Sequence, residues 1–288
     1  MTVLVLDFDG TMTDAEAEGR PFRDGYLDDL CLLVGRAVGD KEGVAIADEV
    51  EEELARAPES HPFLWMGRAV APATVDPYLR MVPVAHRILD RFKAIGDATD
   101  RGRLLGSVLY KYNYAKTLGH PVFRPHAGEV LRALAKTATP TWIVTNSDTH
   151  AVAGKIAALD REVTGVAWLT SRVRGYARKF DVDDAWTAAP AEMSVPGLDR
   201  PVLLRRREYH DILKSVLDDS GATFADLIVV GDIFELDLAM PLALGARVGL
   251  VTSARTPGYE RAFVAAHPRA VLLDDLSAIP ALAASSSP

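Results

Sequence analysis

Two carboxylates two residues apart, Asp7 and Asp9, follow directly on the apolar run Val3–Leu6. Gly10 then allows a sharp turn, and Thr11 and Thr13 offer hydroxyls to the loop before Asp14. Holding two carboxylates this close costs free energy unless a cation or a reaction needs them. A polar turn would also place Asp and Gly here, so this stretch alone fits either reading. Two further apolar runs end in the same manner. Trp142–Val144 leads into Thr145-Asn146-Ser147-Asp148 and a helical pattern. Hydroxyl, amide and backbone N–H groups at a helix start form a phosphate cradle, although the same residues also serve as helix caps. Leu227–Val230 leads into Gly231-Asp232-Ile233-Phe234-Glu235-Leu236-Asp237, which adds two more carboxylates. Three strand ends carrying Asp, Thr and Asp to one edge exceed what capping requires.

The elements that must position these groups alternate along much of the chain. Val3–Leu6, Trp142–Val144, Leu227–Val230, Val248–Val251 and Val271–Leu273 read as buried strands. Helical patterns at Gly128–Lys136, Thr149–Leu159, Tyr209–Asp218 and Leu236–Leu244 lie between several of them. This alternation predicts an α/β fold, a doubly wound parallel sheet, whose ligands bind outside the carboxyl ends of the strands. From Ala15 to Pro121 no buried strand is expected. Leu27–Val38, Val44–Ala57, Val82–Ile95 and Arg103–Thr117 have helical spacing, punctuated by Pro58, Pro62, Pro72, Pro77 and Pro83. Residues 15–121 therefore read as an inserted α-helical domain, with 1–14 and 122–288 forming a discontinuous core. Asp181–Pro201 reads as a small insertion or β-hairpin, and Ala283–Pro288 as a frayed tail.

The 288 residues are 49% hydrophobic and 25% charged, which excludes a disordered chain. A net charge of −8 argues against a broad electrostatic grip on nucleic acid. Cys31, the single cysteine, cannot form an intramolecular disulfide, so a reducing, cytoplasmic setting is expected. The first apolar run stops at Asp7, too short for a signal peptide or membrane span. No G-x-G-x-x-G follows the first strand, which disfavours a dinucleotide site. The insertion is uneven in charge: residues 14–60 hold 14 acidic and 5 basic side chains, residues 61–122 hold 4 and 9. Either both halves present ordinary solvated faces, or Arg68, Arg80, Arg87, Arg101 or Arg103 meets an anionic substrate. Phe63, Trp65 and Met66 suit an apolar wall for a leaving group or the insertion's own core. His61, His86, His120 and His126 lack metal-ligand spacing.

Taken in order, DFDGTMTD, IVTNSD and VVGDIFELD resemble the haloacid dehalogenase superfamily of phosphohydrolases. The first stretch matches the DxDGTxTD pattern at every defined position, and the insertion falls where that superfamily carries a C1-type helical cap. The resemblance implies that Asp7 is a nucleophile forming an aspartyl-phosphate. It implies Mg²⁺ held by Asp7, the Asp9 carbonyl and Asp232, with Asp237 in the outer shell. Asp9 becomes the general acid and base, which argues against dehalogenation. Gly10, Thr145 and the Asn146 backbone become phosphate-binding groups. The superfamily also needs a Lys or Arg beside the nucleophile. No Lys-Pro pair precedes the helix before Asp232, so Lys179 and Arg206, within Arg205-Arg206-Arg207, are the candidates. The implied partner is a small phosphorylated substrate, with no nucleic acid and no membrane. A phosphomutase or other phosphotransferase, or a catalytically retired binding or regulatory protein on the same scaffold, are the rival readings.

Overall fold

The computed structural model describes residues 2–117 and 121–285, so His120 and the end of the tail lie outside the described residues. The described residues form ten strands and eleven α-helices, with one six-stranded sheet and two two-stranded ones. The strands are β1 (Val3–Leu6), β2 (Pro62–Trp65), β3 (Arg68–Pro72), β4 (Thr141–Val144), β5 (Val173–Arg174), β6 (Glu192–Met193), β7 (Val202–Leu203), β8 (Leu227–Gly231), β9 (Arg247–Val251) and β10 (Ala270–Leu273). Six of them form a parallel sheet in the order β10-β9-β8-β1-β4-β5. β1 is central and fully buried, as its unbroken apolar run predicts. Val3 and Val5 enter the core on one face with Val229, Leu213 and Phe234. Leu4 and Leu6 enter the opposite core with Ile143, Ile156 and Leu131.

The helices are α1 (Ala15–Leu33), α2 (Lys41–Arg56), α3 (Pro77–Arg91), α4 (Ala98–Gly102), α5 (Lys111–Tyr114), α6 (Ala127–Leu134), α7 (Thr149–Glu162), α8 (Arg207–Ser220), α9 (Ala239–Ala243), α10 (Gly258–Ala266) and α11 (Ile279–Ala284). A π-helical stretch, Arg103–Tyr110, joins α4 to α5. The helices α1 to α5 form a cap with its own core of Phe22, Tyr26, Leu30, Val50, Val84 and Ile88. Cys31 is buried in that core, away from the carboxylates. No described helix is long and apolar enough to cross a membrane.

One element departs from the sequence expectation. The cap carries an antiparallel hairpin, β2–β3, closed by the two-residue turn Met66-Gly67. Both turn residues have positive φ, +50° and +76°, the geometry that suits the twist of a tight hairpin. Period-2 alternation is hidden because the register slips between Phe63 and Leu64, and because Pro62 and Pro72 close the ends. Half of β2 is also exposed, so it lacks an apolar run to betray it. Within Asp181–Pro201 order is sparse: β6 pairs with β7 beyond it as a short antiparallel ribbon.

Candidate active site

Parallel pairing of β4, β1 and β8 brings three loops to one edge of the sheet. Asp7 extends β1 by one more ladder bond, its N–H donating to the Val230 carbonyl at 2.8 Å. Asp7 as a residue is 7% exposed. Asp232 leaves β8, and Asp237 follows one turn later on the π-helical stretch Phe234–Leu238. The backbone N–H of Ile233 donates to Asp237 Oδ2 at 3.0 Å and fixes that turn. Carboxylate oxygens of Asp7, Asp232 and Asp237 all lie within 4.8 Å of one another. Thr11 Oγ1 stands 3.0 Å from both Asp7 Oδ2 and Asp232 Oδ1. Gly10 turns the loop with φ +86°, and a Cβ there would stand 2.3 Å from Asp232 Oδ2. A side chain there would strain the backbone and push the Asp232 carboxylate aside, so glycine suits the position. Arg124 braces the same turn, Nε donating to the Gly10 carbonyl at 2.7 Å.

The structure separates the two candidate cations. Lys179 is 1% exposed, and its Nζ donates to Asp7 Oδ1 at 2.7 Å and Asp237 Oδ1 at 2.8 Å. Burial opposes its charge, but Asp237 and Asp7 outweigh burial and hold the ammonium protonated. Arg206 is also fully buried, yet it touches no carboxylate of the cluster. Its guanidinium donates to the carbonyls of Lys179, Val70 at 3.0 Å and Leu203 at 3.1 Å. Burial lowers its pKa to about 10. It is a clamp joining the Lys179 loop, the cap strand β3 and the β7 segment, so of the two candidates Lys179 is the cation beside Asp7. Neighbouring Arg205 bonds the Asp184 carbonyl and Arg207 faces Asp183, both outside the site.

Three acids around one ammonium leave an excess of negative charge. Burial pushes Asp7 up to about 7, with Lys179 pulling the other way and Asp237 adding to the rise. Burial also lifts Asp232 well above the carboxylate range, reinforced by Asp7 and Asp237. Clustered hard oxygen donors whose ionised forms are held apart from water fit a small divalent cation. Asp7 and Asp232 would hold it, with Asp237 close enough to join or to orient them. Asp9 lies outside this trio: Ser147 Oγ donates to its Oδ2 at 2.6 Å and Lys155 Nζ to its Oδ1 at 2.7 Å. Thr145, 1% exposed, accepts the Ser147 N–H at 3.2 Å. The Asn146 side chain accepts the Lys179 N–H at 2.7 Å, tying two sheet-edge loops together.

Lys155, on α7, and Glu18, on α1, are absent from the sequence reading. Lys155 bonds both Asp9 and Glu18, joining core to cap. A single lysine within a helix gives no signal of such a role, since most are solvated. The cavity over the carboxylates has a volume of about 620 Å³. Clefts of about 510 and 590 Å³ occur elsewhere, so chemistry and not size distinguishes this one.

Of the alternatives left open for its outer wall, the one without substrate-facing arginines is found. Arg68 pairs with Asp184 and Arg80 with Glu16. Arg87 pairs with Glu53, Arg101 with Asp90, and Arg103 is exposed. None of the five lines the cavity. Phe63 and Trp65 instead pack on Phe180, and Met66 is 85% exposed at the hairpin tip. The wall is made by Tyr78, Leu79, Tyr110 and Tyr114 of the cap.

A parallel α/β sheet with an acid-lined strand edge under a helical cap is the haloacid dehalogenase-like fold. The chain is similar to a predicted phosphoglycolate phosphatase from Haemophilus somnus 129PT, at TM-score 0.53 and 14% identity over 98% of this chain and 97% of that one. It is similar to a haloacid dehalogenase-like family hydrolase from Streptococcus pneumoniae, at TM-score 0.53 and 13% identity over 98% of both chains. A Bacillus subtilis HAD-hydrolase bound to magnesium aligns at TM-score 0.52 and 14% identity, again over 98% of both chains. No protein-family model matches the sequence, and no curated protein matches it.

Proposed function

We propose that this protein is a Mg²⁺-dependent phosphatase of the haloacid dehalogenase superfamily that hydrolyses a small phosphomonoester through an aspartyl-phosphate on Asp7. The observation that carries the reading is the buried Asp7 carboxylate at the end of β1, held 2.7 Å from Lys179 Nζ beside Asp232 and Asp237. A carboxylate attacks an anionic phosphoryl group only where charge is offset, and Lys179 supplies part of that offset. Mg²⁺ held by Asp7 and Asp232 would supply the rest, offsetting charge on the carboxylates and the phosphoryl oxygens.

One Asp7 oxygen forms a bond to phosphorus as the ester P–O bond breaks, and Asp9 gives its proton to the departing alcohol oxygen. Ser147 suits this task, because a hydroxyl can turn from donor to acceptor as Asp9 Oδ2 gains or loses a proton. Water then attacks phosphorus, its proton passes to Asp9, and the acyl phosphate P–O bond breaks to release phosphate. In this reading Thr145, Asn146 and the separate loop at Gly10 receive the phosphoryl oxygens. The reading includes a cytoplasmic setting, consistent with a single buried thiol.

The test is phosphate release from an aryl phosphate. Turnover is expected to vanish with EDTA, return with Mg²⁺, and fall at least 10³-fold in Asp7→Asn with an unchanged circular dichroism spectrum. Retained turnover in that variant removes Asp7 as nucleophile, and indifference to chelator removes the metal.

A further inference from the structure

We propose that the substrate's leaving group carries no second anion: it is a neutral or cationic alcohol presenting an apolar or aromatic face. This rests on the phosphatase reading and concerns the half of the same cavity that lies above the phosphoryl position. Three cap tyrosines form that wall. Tyr110 and Tyr114 stack at 5.9 Å with 11° between their planes, and Tyr78 meets Tyr114 edge-on at 5.6 Å. Burial raises all three phenols, so the rings are uncharged at working pH. Phe180 continues the apolar surface from the core side.

Most of the charged groups lining this half of the cavity are acidic. Glu18, Asp76 and Asp148 line the cavity beyond Asp7, Asp9, Asp232 and Asp237. Among the described residues, the cation lining it is Lys155, already engaged by Asp9 and Glu18. A carboxylate on the leaving group would lose its water against three acids and would have to share Lys155 with Asp9 and Glu18, which already offset its charge. An aromatic ring gains offset or edge contacts with the tyrosines, and an ammonium gains their electron-rich faces and the acids together. The cap arginines that could have received an anion are held by Asp184, Glu16, Glu53 and Asp90.

The experiment compares kcat/KM with Mg²⁺ for two substrate pairs matched in leaving-group chemistry. One is phenyl phosphate against 4-carboxyphenyl phosphate, the other phosphoethanolamine against phosphoglycolate. The non-anionic member of each pair is expected to be favoured at least tenfold, mostly through KM, and the faster pair distinguishes a ring from an ammonium. Equal or reversed ratios overturn the inference and leave the phosphatase reading standing; no turnover of any of the four overturns both. Tyr110→Leu is expected to raise KM for phenyl phosphate about fivefold, more than it lowers kcat. Asp76→Asn, which preserves the α3 N-cap, is expected to narrow the gap within each pair at least threefold. Ratios untouched by both variants place the preference elsewhere and refute the wall.

Discussion

Replacing Lys179 by methionine, of similar volume, tests the site's electrostatics directly. Its ammonium stands 2.7 and 2.8 Å from two carboxylates at 1% exposure. At an effective dielectric of about 20, each contact is worth on the order of 6 kcal/mol before desolvation is subtracted. Removing one partner of a buried pair costs about 3–5 kcal/mol in practice, because the abandoned carboxylates protonate and do not stay ionised. We expect Lys179→Met to lose about that much in urea unfolding at pH 8 in EDTA. The loss should shrink towards pH 5, since Asp7 already sits near 7 with the lysine present and rises further without it. Adding Asp7→Asn to Lys179→Met should return at least about 1 kcal/mol, because one of the stranded charges is gone. Aryl phosphate turnover by the folded fraction should fall at least about 10²-fold. A variant within about 0.5 kcal/mol of wild type, or one keeping a third of its turnover, would refute the reasoning.

Two other residues make separate predictions. Glu260, on α10, is fully buried, and both carboxylate oxygens lack hydrogen-bond partners. Burial raises its pKa well above the ordinary value, with nearby Glu235 adding to the rise. Its neutral form is therefore the one the fold favours. That contribution is complete below the unfolded-state pKa and is lost as pH climbs through the raised folded value, by about 1.4 kcal/mol per unit. Glu260→Gln should flatten this decline in melting temperature against pH, and an unchanged profile would reject it. For Arg206→Met, two buried carbonyls and one half-buried carbonyl lose their donor, and a stability loss of about 3 kcal/mol or more is expected. Its folded fraction should keep far more turnover than Lys179→Met; equal losses would show that the clamp and the cation cannot be separated.

Much of the architecture and the acidic edge were legible because their causes are local. An unbroken apolar run such as Val3–Leu6 can be satisfied only by burial on both faces, so strand identity and parallel pairing follow from it. Parallel pairing then forces Asp7, Thr145 and Asp232 to one edge. Gly10 belongs to the same logic, because the turn after Asp7 takes a positive φ and brings the backbone close to the Asp232 carboxylate. Other features depend on partners distant along the chain. Lys179 and Arg206 are both buried cations near one loop, and only packing gave one to carboxylates and the other to carbonyls. Lys155 reads as a solvated helical lysine until α1 places Glu18 beside it. The cap arginines are drawn off by acids up to 116 residues away, as Arg68 is by Asp184, leaving the tyrosines to line the cavity. By itself the sequence determined which groups sit at the end of the strands, since hydrophobic burial acts on each run independently. The tertiary structure decided which charges meet, because ion pairing depends on distances that the chain's order does not contain.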